Sequence, residues 1–266
     1  MFFRADPTVR PFCMSHPAAT ENVDMTDLTT SPFQTSTTMA KPSNWPDRIR
    51  KAVPSWKSCG RILVTGGLLM FIGLTVYTLA LIIAPAPTTL NMIGTRLSGT
   101  SVDRTIVPVS QISPNLIRAV IAAEDTRFCE HAGIDFSAIS AAFEHNQTSK
   151  RRRGGSTISQ QTAKNIFFWN GGGYVRKAGE AGMTLMIETL WSKRRIMEQY
   201  LNIAEWGDGI YGAEAAARAR FGKSASQLTV REAALLASVL PNPNKWRLDP
   251  AGAYVYGRAS TISQRM

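Results

Sequence analysis

The hydrophobic and polar positions divide the chain into three stretches of different character. Ile62 to Pro85 (ILVTGGLLMFIGLTVYTLALIIAP) is apolar on every side, and no charged residue falls between Arg61 and Arg96. About 20 apolar residues in a helix cross the hydrocarbon of a bilayer, so residues 61–85 are expected to form a transmembrane helix. Before it, residues 1–60 carry Thr, Ser and Pro with no sustained period (TDLTTSPFQTSTTMAKPS) and are expected to be a disordered tail. Residues 86–99 are a polar connector, and residues 100–266 show helical spacing with hardly any strand-like alternation.

The helical stretch is punctuated by caps. Ser113 and Pro114 stand as N-cap and first residue before NLIRAVIAAEDTRF, and Asp135 caps FSAISAAFEH. Tyr174 to Trp191 puts Met183, Ile187 and Leu190 on one face, and Ser192 caps KRRIMEQYLN. Two more helices are expected to close the domain. Ile210 to Phe221 stops at Gly222, and Thr229 with Glu232 forms a capping box before AALLASVL, which halts at Pro241. The fold class is therefore mainly α, preceded by one membrane helix.

Charge orients the chain. Lys41, Arg48, Arg50, Lys51, Lys57 and Arg61 crowd one side of the apolar segment, while the first cation beyond it is Arg96. Cations gather on the cytoplasmic flank, which puts the N-terminus in the cytoplasm and the domain outside. A cleaved signal peptide would have far fewer than sixty residues before its apolar core. The 266 residues carry a net charge of +11, and residues 96–266 alone hold 22 Lys and Arg against 14 Asp and Glu, a net +8. Outside a membrane that excess suits anionic headgroups or a phosphate-bearing ligand, and nucleic acid is excluded as a partner by the location. Cys13, Cys59 and Cys129 are separated by the membrane and by distance, so no disulfide is expected within one folded unit.

Three clusters hold the candidate chemistry. Glu124 and Asp125 end an apolar helix and are followed by Phe128, His131, Gly133 and Asp135; taken singly, each acid also reads as a solvated helix end or a cap. Gly154 to Asn165 (GGSTISQQTAKN) follows the cations Lys150 to Arg153. Its paired glycines allow close backbone approach, and Ser156 or Thr157 can cap a helix whose N-terminus attracts anions. Gln160 and Gln161 offer donors and acceptors, and Lys164 a point charge suited to phosphate. Arg176, Lys177 and Glu180 form the third cluster, which as an isolated pattern is a helical ion pair. His131 is a poor metal ligand, since neither His16 nor His145 stands in a ligand pattern with it, and no structural zinc is expected.

Together these stretches resemble a known family. EDTRFCEHAGID, RRRGGSTISQQTAKN, RKAGE, KRRIMEQYLNIAEWGDGIYGAEAAARARFGK and LTVREAALLASVLPNPNKW occur in the order seen in peptidoglycan glycosyltransferases, the polymerising domain of bifunctional penicillin-binding proteins. The match covers roughly residues 100–260, and Thr162 stands where a leucine is more usual. No S-x-x-K occurs in the chain, so a transpeptidase nucleophile is missing and the monofunctional form is expected.

The resemblance implies a lysozyme-like domain with a smaller membrane-facing lobe that polymerises lipid II on the outer face of the bacterial inner membrane. It places Glu124 as general base and Glu180 as second acid. Asp125, Phe128, His131, Gly155, Ser156, Thr157, Gln160, Gln161, Lys164, Asn165, Arg176 and Lys177 would contact substrate. Glu198, Tyr200, Asn202, Gly207 and Gly212 would shape the cleft, and Glu124 and Glu180 are expected to face one groove. Phe167, Phe168 and Trp169 are read as leaning towards the membrane interface rather than the core. The partners implied are lipid II, the undecaprenyl-pyrophosphate-linked strand, the membrane and other cell-wall synthesis proteins. No cofactor is read from the residues, and Mg²⁺ or Mn²⁺ held by the pyrophosphate and an acid such as Glu180 is compatible with the pattern. The competing enzyme reading is a muramidase or lytic transglycosylase, which needs an acid in a similar cleft but no pyrophosphate site. The non-enzymatic alternative is a cell-wall scaffold.

Overall fold

A computed structural model describes residues 56–149, 154–248 and 250–266. The tail up to residue 55 and the cation run Lys150 to Arg153 lie outside the described residues. The described residues form ten α-helices, two short 3-10 turns and a three-stranded ribbon, so the mainly α expectation holds.

Helix α1 (Trp56–Ala80) has 25 residues. At roughly 1.5 Å per residue it spans about 37 Å, more than the ~30 Å hydrocarbon core of a bilayer. Leu63, Val64, Phe71 and Val76 are exposed around it, which a bilayer accommodates and water does not. It fits a single-pass membrane anchor.

The helix does not run on to Pro85 as the apolar run suggested. It stops at Ala80 because the next residues are fastened to the domain. Tyr77 O, Leu79 O and Ala80 O accept from the backbone of the turn that follows, while the domain takes Thr78 O and the carbonyls beyond the helix. Trp191 Nε1 donates to Thr78 O at 2.9 Å, Arg195 Nε to Leu81 O at 2.9 Å, and Gln199 Nε2 to Leu81 O and Ala84 O at 3.0 Å each. Gln199 Oε1 in turn accepts from Ala86 N at 2.9 Å.

The stretch expected as connector is also structured. Thr89 caps helix α2 (Leu90–Leu97), which buries Met92. After it, β1 (Asp103–Arg104) pairs in parallel with β3 (Ile210–Tyr211), and β2 (Glu205–Gly207) pairs with β3 in antiparallel fashion through an irregular register. Ile210 and Tyr211 were expected to begin a helix; they pair as a strand instead, and helix α8 starts only at Ala213 and ends at Gly222 (φ +66°).

The remaining helices follow the caps. Ser113 accepts from Asn115 N at the head of α3 (Pro114–Glu124), and Asp135 from Ala138 N at the head of α4 (Phe136–Thr148). Thr157 and Gln160 form a full capping box on α5 (Ile158–Phe167). Helix α6 (Gly173–Leu190) and α7 (Lys193–Ile203), with its Ser192 cap, pack with α5 around Ile158, Ile187 and Ile196. Thr229 and Glu232 cap α9 (Val230–Val239).

An unanticipated last helix, α10 (Ala253–Arg265), buries Val255, Ala259 and Ile262 against α9 and α3. Ala119, Ala233, Ala234 and Ala237 are fully buried at or near these contacts, where small side chains let helix backbones approach. Phe167 meets Tyr77 of α1 edge to face at 5.8 Å and Phe168 packs against Gly179, so both are packed in the protein, while Trp169 is exposed.

Gln199→Leu would leave Ala86 N, Leu81 O and Ala84 O short of partners inside the fold. It is expected to cost about 1–3 kcal/mol, read as a lowered melting temperature of the full chain in detergent; an unchanged melt would show that the junction does not hold the domain.

Candidate functional site

Helix α3 brings Glu124 to its C-terminal end, where Asp125 leaves the helical region (φ −159°, ψ 78°). The Asp125 carboxylate is buried. It accepts from Ile158 N at 3.0 Å, at the start of α5, and lies 2.9 and 3.0 Å from His131 Nε2. Gly133 N donates to His131 Nδ1 at 3.1 Å, so Nδ1 is the acceptor and Nε2 carries the proton given to Asp125. Asp125 and His131 thus lock the turn after α3 onto the head of α5.

Gly133 is required here. Its φ is +92°, and a Cβ would lie 2.8 Å from Glu188 Cγ and from Thr184 Cγ2.

The Gly154–Asn165 stretch is put together differently from the expectation. Thr157 is the cap; its hydroxyl donates to Gly133 O and accepts from Gln160 N. Gln160 is buried, and its Oε1 accepts from Thr157 N, so the capping box uses the group that was expected to meet substrate. Gly155 is explained by close packing: a Cβ there would lie 3.1 Å from Ile139 Cα of α4. Only Ser156 and Gln161 of this stretch's expected side-chain contacts are both on the cleft and clear of the cap.

Gln161 bears directly on Glu124. Its Nε2 donates to Glu124 Oε2 at 2.9 Å, and its Oε1 accepts from Tyr200 OH at 3.2 Å. Burial pushes the Tyr200 phenol well above its ordinary range, with the Glu124 charge adding to the effect. Tyr200 therefore stays a donor, and this orients the Gln161 amide. Glu124 Oε1 is buried without a hydrogen bond, 3.5 Å from Nη2 of Arg258. Burial raises the Glu124 pKa above the usual carboxylate range, Gln161 and Arg258 oppose the rise, and Asp125 adds to it.

Glu124 opens onto a cleft of about 960 Å³. Gly154 to Thr157 and the α4 residues Ala138, Ala141 and His145 form one side, and Trp246, Tyr254, Arg258 and Arg265 the other.

The expected site residues fall into two groups. Glu180 is not among the residues lining this cleft. Its side chain is 3% exposed, held by Arg176 through one oxygen and by Lys177 Nζ at 3.3 Å through the other. Lys164 stands beside them: burial and the Arg176 charge lower its pKa, and burial, Arg176 and Lys164 lower that of Lys177. Two cations therefore share the Glu180 carboxylate, with Lys164 close enough to feel the Arg176 charge and opposed by Glu205. Asn165 accepts from Asn91 of α2 at 3.2 Å. Phe128 is a core residue, edge-on to His131 and under Lys193 Nζ at 4.6 Å.

The residues assigned to cleft shaping hold the backbone. Glu198 accepts from Val109 N at 2.8 Å and pairs with Arg195, while Asn202 brackets Val107 through N–H and C=O at 3.0 and 2.9 Å. Sequence reasoning missed Trp246, Tyr254 and Arg258. The Val255, Ala259 and Ile262 stripe was the signal that marked the helix of Tyr254 and Arg258; Trp246 stands in the turn before it.

Comparisons with known proteins place the chain in a family. A family model described as Transglycosylase matches residues 91–266, which takes in α2 of the expected connector. A protein of Rhodospirillum centenum named biosynthetic peptidoglycan transglycosylase is 57% identical over 165 residues, 62% of this chain and 71% of its own length. A protein of the same name from Caulobacter vibrioides is 51% identical over 180 residues, 68% of this chain and 79% of its own. The Escherichia coli protein of that name is 55% identical over 161 residues, 60% of this chain and 66% of its own.

A carboxyl whose pKa is higher folded than unfolded binds more protons in the native state, so its ionisation lowers stability as pH rises between the two values. Glu124→Gln is accordingly expected to melt at a higher temperature than wild type at pH 7. The difference should vanish towards about pH 4, near the ordinary glutamate value; a variant that melts lower at pH 7 would contradict the strained ionised state.

Proposed function

The chain belongs to the transglycosylase family and is a peptidoglycan glycosyltransferase of cell wall synthesis, and on that premise we propose that it joins lipid II units with Glu124 as the base. The observation that carries the role of Glu124 is that it lines the cleft with one buried oxygen, Oε1, that has no hydrogen bond and only the Arg258 guanidinium at 3.5 Å. A general base must be ionised and within hydrogen-bond reach of its proton, and a raised pKa makes it a stronger base near neutral pH.

In the step proposed, the 4-hydroxyl oxygen of the acceptor lipid II attacks C1 of the donor sugar from the face opposite the leaving group. The bond from C1 to the pyrophosphate oxygen breaks with its electron pair, the hydroxyl proton passes to Glu124 Oε1, and undecaprenyl pyrophosphate departs. Attack from the opposite face inverts C1 and gives a β-1,4 link. The departing pyrophosphate gathers negative charge as the bond breaks. Fixed cations that hold it more tightly at that point lower the barrier. Lys164, Arg176 and Lys177 supply that charge; burial first, and the neighbouring cations second, lower the pKa values of Lys164 and Lys177, and an incoming anion offsets the cation repulsion. Glu180, between Arg176 and Lys177, keeps the group together before the anion arrives.

A divalent ion at the pyrophosphate would be held by phosphate oxygens with one or two carboxylates, and both Glu180 oxygens here face cations. No step is therefore routed through Mg²⁺ or Mn²⁺. The excess of Lys and Arg before α1 supports an N-terminus in the cytoplasm and a domain on the outer face of the inner membrane, where lipid II is presented.

Labelled lipid II incubated with the detergent-solubilised full chain is expected to give muramidase-sensitive polymer. Glu124→Gln should lower the rate about 10²- to 10⁴-fold, the range of general base catalysis; cleavage of preformed strands without polymer would sink the synthetic reading. The acid limb of kcat/KM should lie above the ordinary carboxylate range. Because the Gln161 hydrogen bond holds the Glu124 pKa down, Gln161→Leu should move that limb to still higher pH.

A further inference from the structure

The two oxygens of Glu124 face different parts of the protein. Oε2 is taken by Gln161, on α5, the helix that carries Lys164 further along. Oε1, which has no hydrogen bond, is turned towards Arg258 of α10. A hydroxyl that gives its proton to Glu124 must approach Oε1, and so comes in along the α10 side of the cleft.

That side is built as a sugar platform. The rings of Trp246 and Tyr254 lie 4.9 Å apart at 60°, both line the cleft, and Tyr254 is 39% exposed. The Arg258 guanidinium sits over the Trp246 ring at 5.9 Å and is fixed from below. Its Nε donates to Ser238 O at 3.1 Å and its Nη2 to Ala123 O at 3.3 Å. An exposed aromatic face beside a fixed cation presents an apolar surface and a polar donor together, which matches the C–H face and the oxygens of a hexosamine ring. Across the cleft, Gly154, Gly155 and Ser156 are small and leave room for a ring to lie on the platform.

We propose that Trp246, Tyr254 and Arg258 form the acceptor subsite, binding the terminal N-acetylhexosamine of the incoming lipid-linked saccharide with its 4-hydroxyl at Glu124 Oε1. This rests on the glycosyltransferase reading above and adds to it which wall receives which substrate. Tyr254 binds the ring. Arg258 both meets the acceptor and holds the base in its ionised form, since its charge opposes the upward shift of the Glu124 pKa.

The test separates the two substrates chemically. A lipid II capped at its 4-hydroxyl can only donate, and an analogue with a non-leaving methylene at the anomeric position can only accept. With full-length protein in detergent, Tyr254→Ala is expected to raise KM for the acceptor-only analogue about tenfold, equivalent to ~1.4 kcal/mol, with KM for the capped donor unchanged. Tyr254→Phe keeps the ring and should hold the acceptor KM below that of Tyr254→Ala, and Lys164→Ala should raise the donor KM instead. The unchanged donor KM shows in the same sample that the variant is folded. A Tyr254→Ala protein whose donor KM rises, or whose acceptor KM stays at the wild-type value, overturns the assignment. If wild type couples neither pair, the glycosyltransferase reading falls, and the subsite falls with it.

Discussion

A carboxylate buried at the end of an apolar helix is the constraint around which the domain is organised. Removing an ionised group from water is costly unless polar partners replace the solvent, and Glu124 has few. The partners come from distant parts of the chain: Gln161 from α5, Tyr200 of α7 acting through Gln161, and Arg258 from α10. None of these contacts forms unless the two helical groups are in register with each other. The packing of α3 between α9 and α10 therefore does more than bury Leu116 and Val120; it sets the depth at which Glu124 ionises. The second oxygen is left without a hydrogen bond, so the fold holds in its ground state a group that is better satisfied once a hydroxyl arrives.

Helix α7 connects that centre to the membrane anchor. Gln199 and Tyr200 are neighbours, about 100° apart around the helix, and they face different tasks. Gln199 closes the carbonyls after α1, while Tyr200 orients Gln161 beneath Glu124. Arg195, one turn earlier, adds its guanidinium to Leu81 O and Ala84 O, and a cation there also suits the negative end of the α1 dipole. The junction is thus fastened by side chains rather than joined by a flexible linker.

The parts of this arrangement that depend on neighbours in sequence were legible beforehand. Ser113, Asp135, Ser192 and the Thr229–Glu232 box cap the helices they mark, because a cap is satisfied within three residues of itself. Local chemistry also misled. Gln160 looks like a substrate contact in GGSTISQQTAKN, but it completes a capping box, a demand that no tally of donors and acceptors reveals. Arg258 was not legible as a partner of Glu124, since 134 residues separate them and only the packing of α10 brings them together. Ile210 and Tyr211 continue an apolar pattern into α8 by composition; it is pairing with β1 and β2 that makes them a strand. Glu124 and Glu180 were picked out through resemblance, because single acids carry too little signal in their immediate sequence.

The two acids also sit in opposite electrostatic settings, and the chemistry needs them to. A carboxylate surrounded by cations has its charge stabilised and is a weak base; one buried beside few partners holds a proton firmly and is a strong one. Glu180 is gripped by Arg176 and Lys177, one on each oxygen. Glu124 is of the second kind, and the groups that move its pKa are Gln161, Arg258 and Asp125, with none of Lys164, Arg176 and Lys177 among them. A neutral amide, Gln161, is what meets Glu124 from α5, the helix that bears Lys164. Had a lysine stood at that position, its charge would have drained the basicity of Glu124 while strengthening the anion site. An amide there lets one helix serve the cations and the base without either cancelling the other.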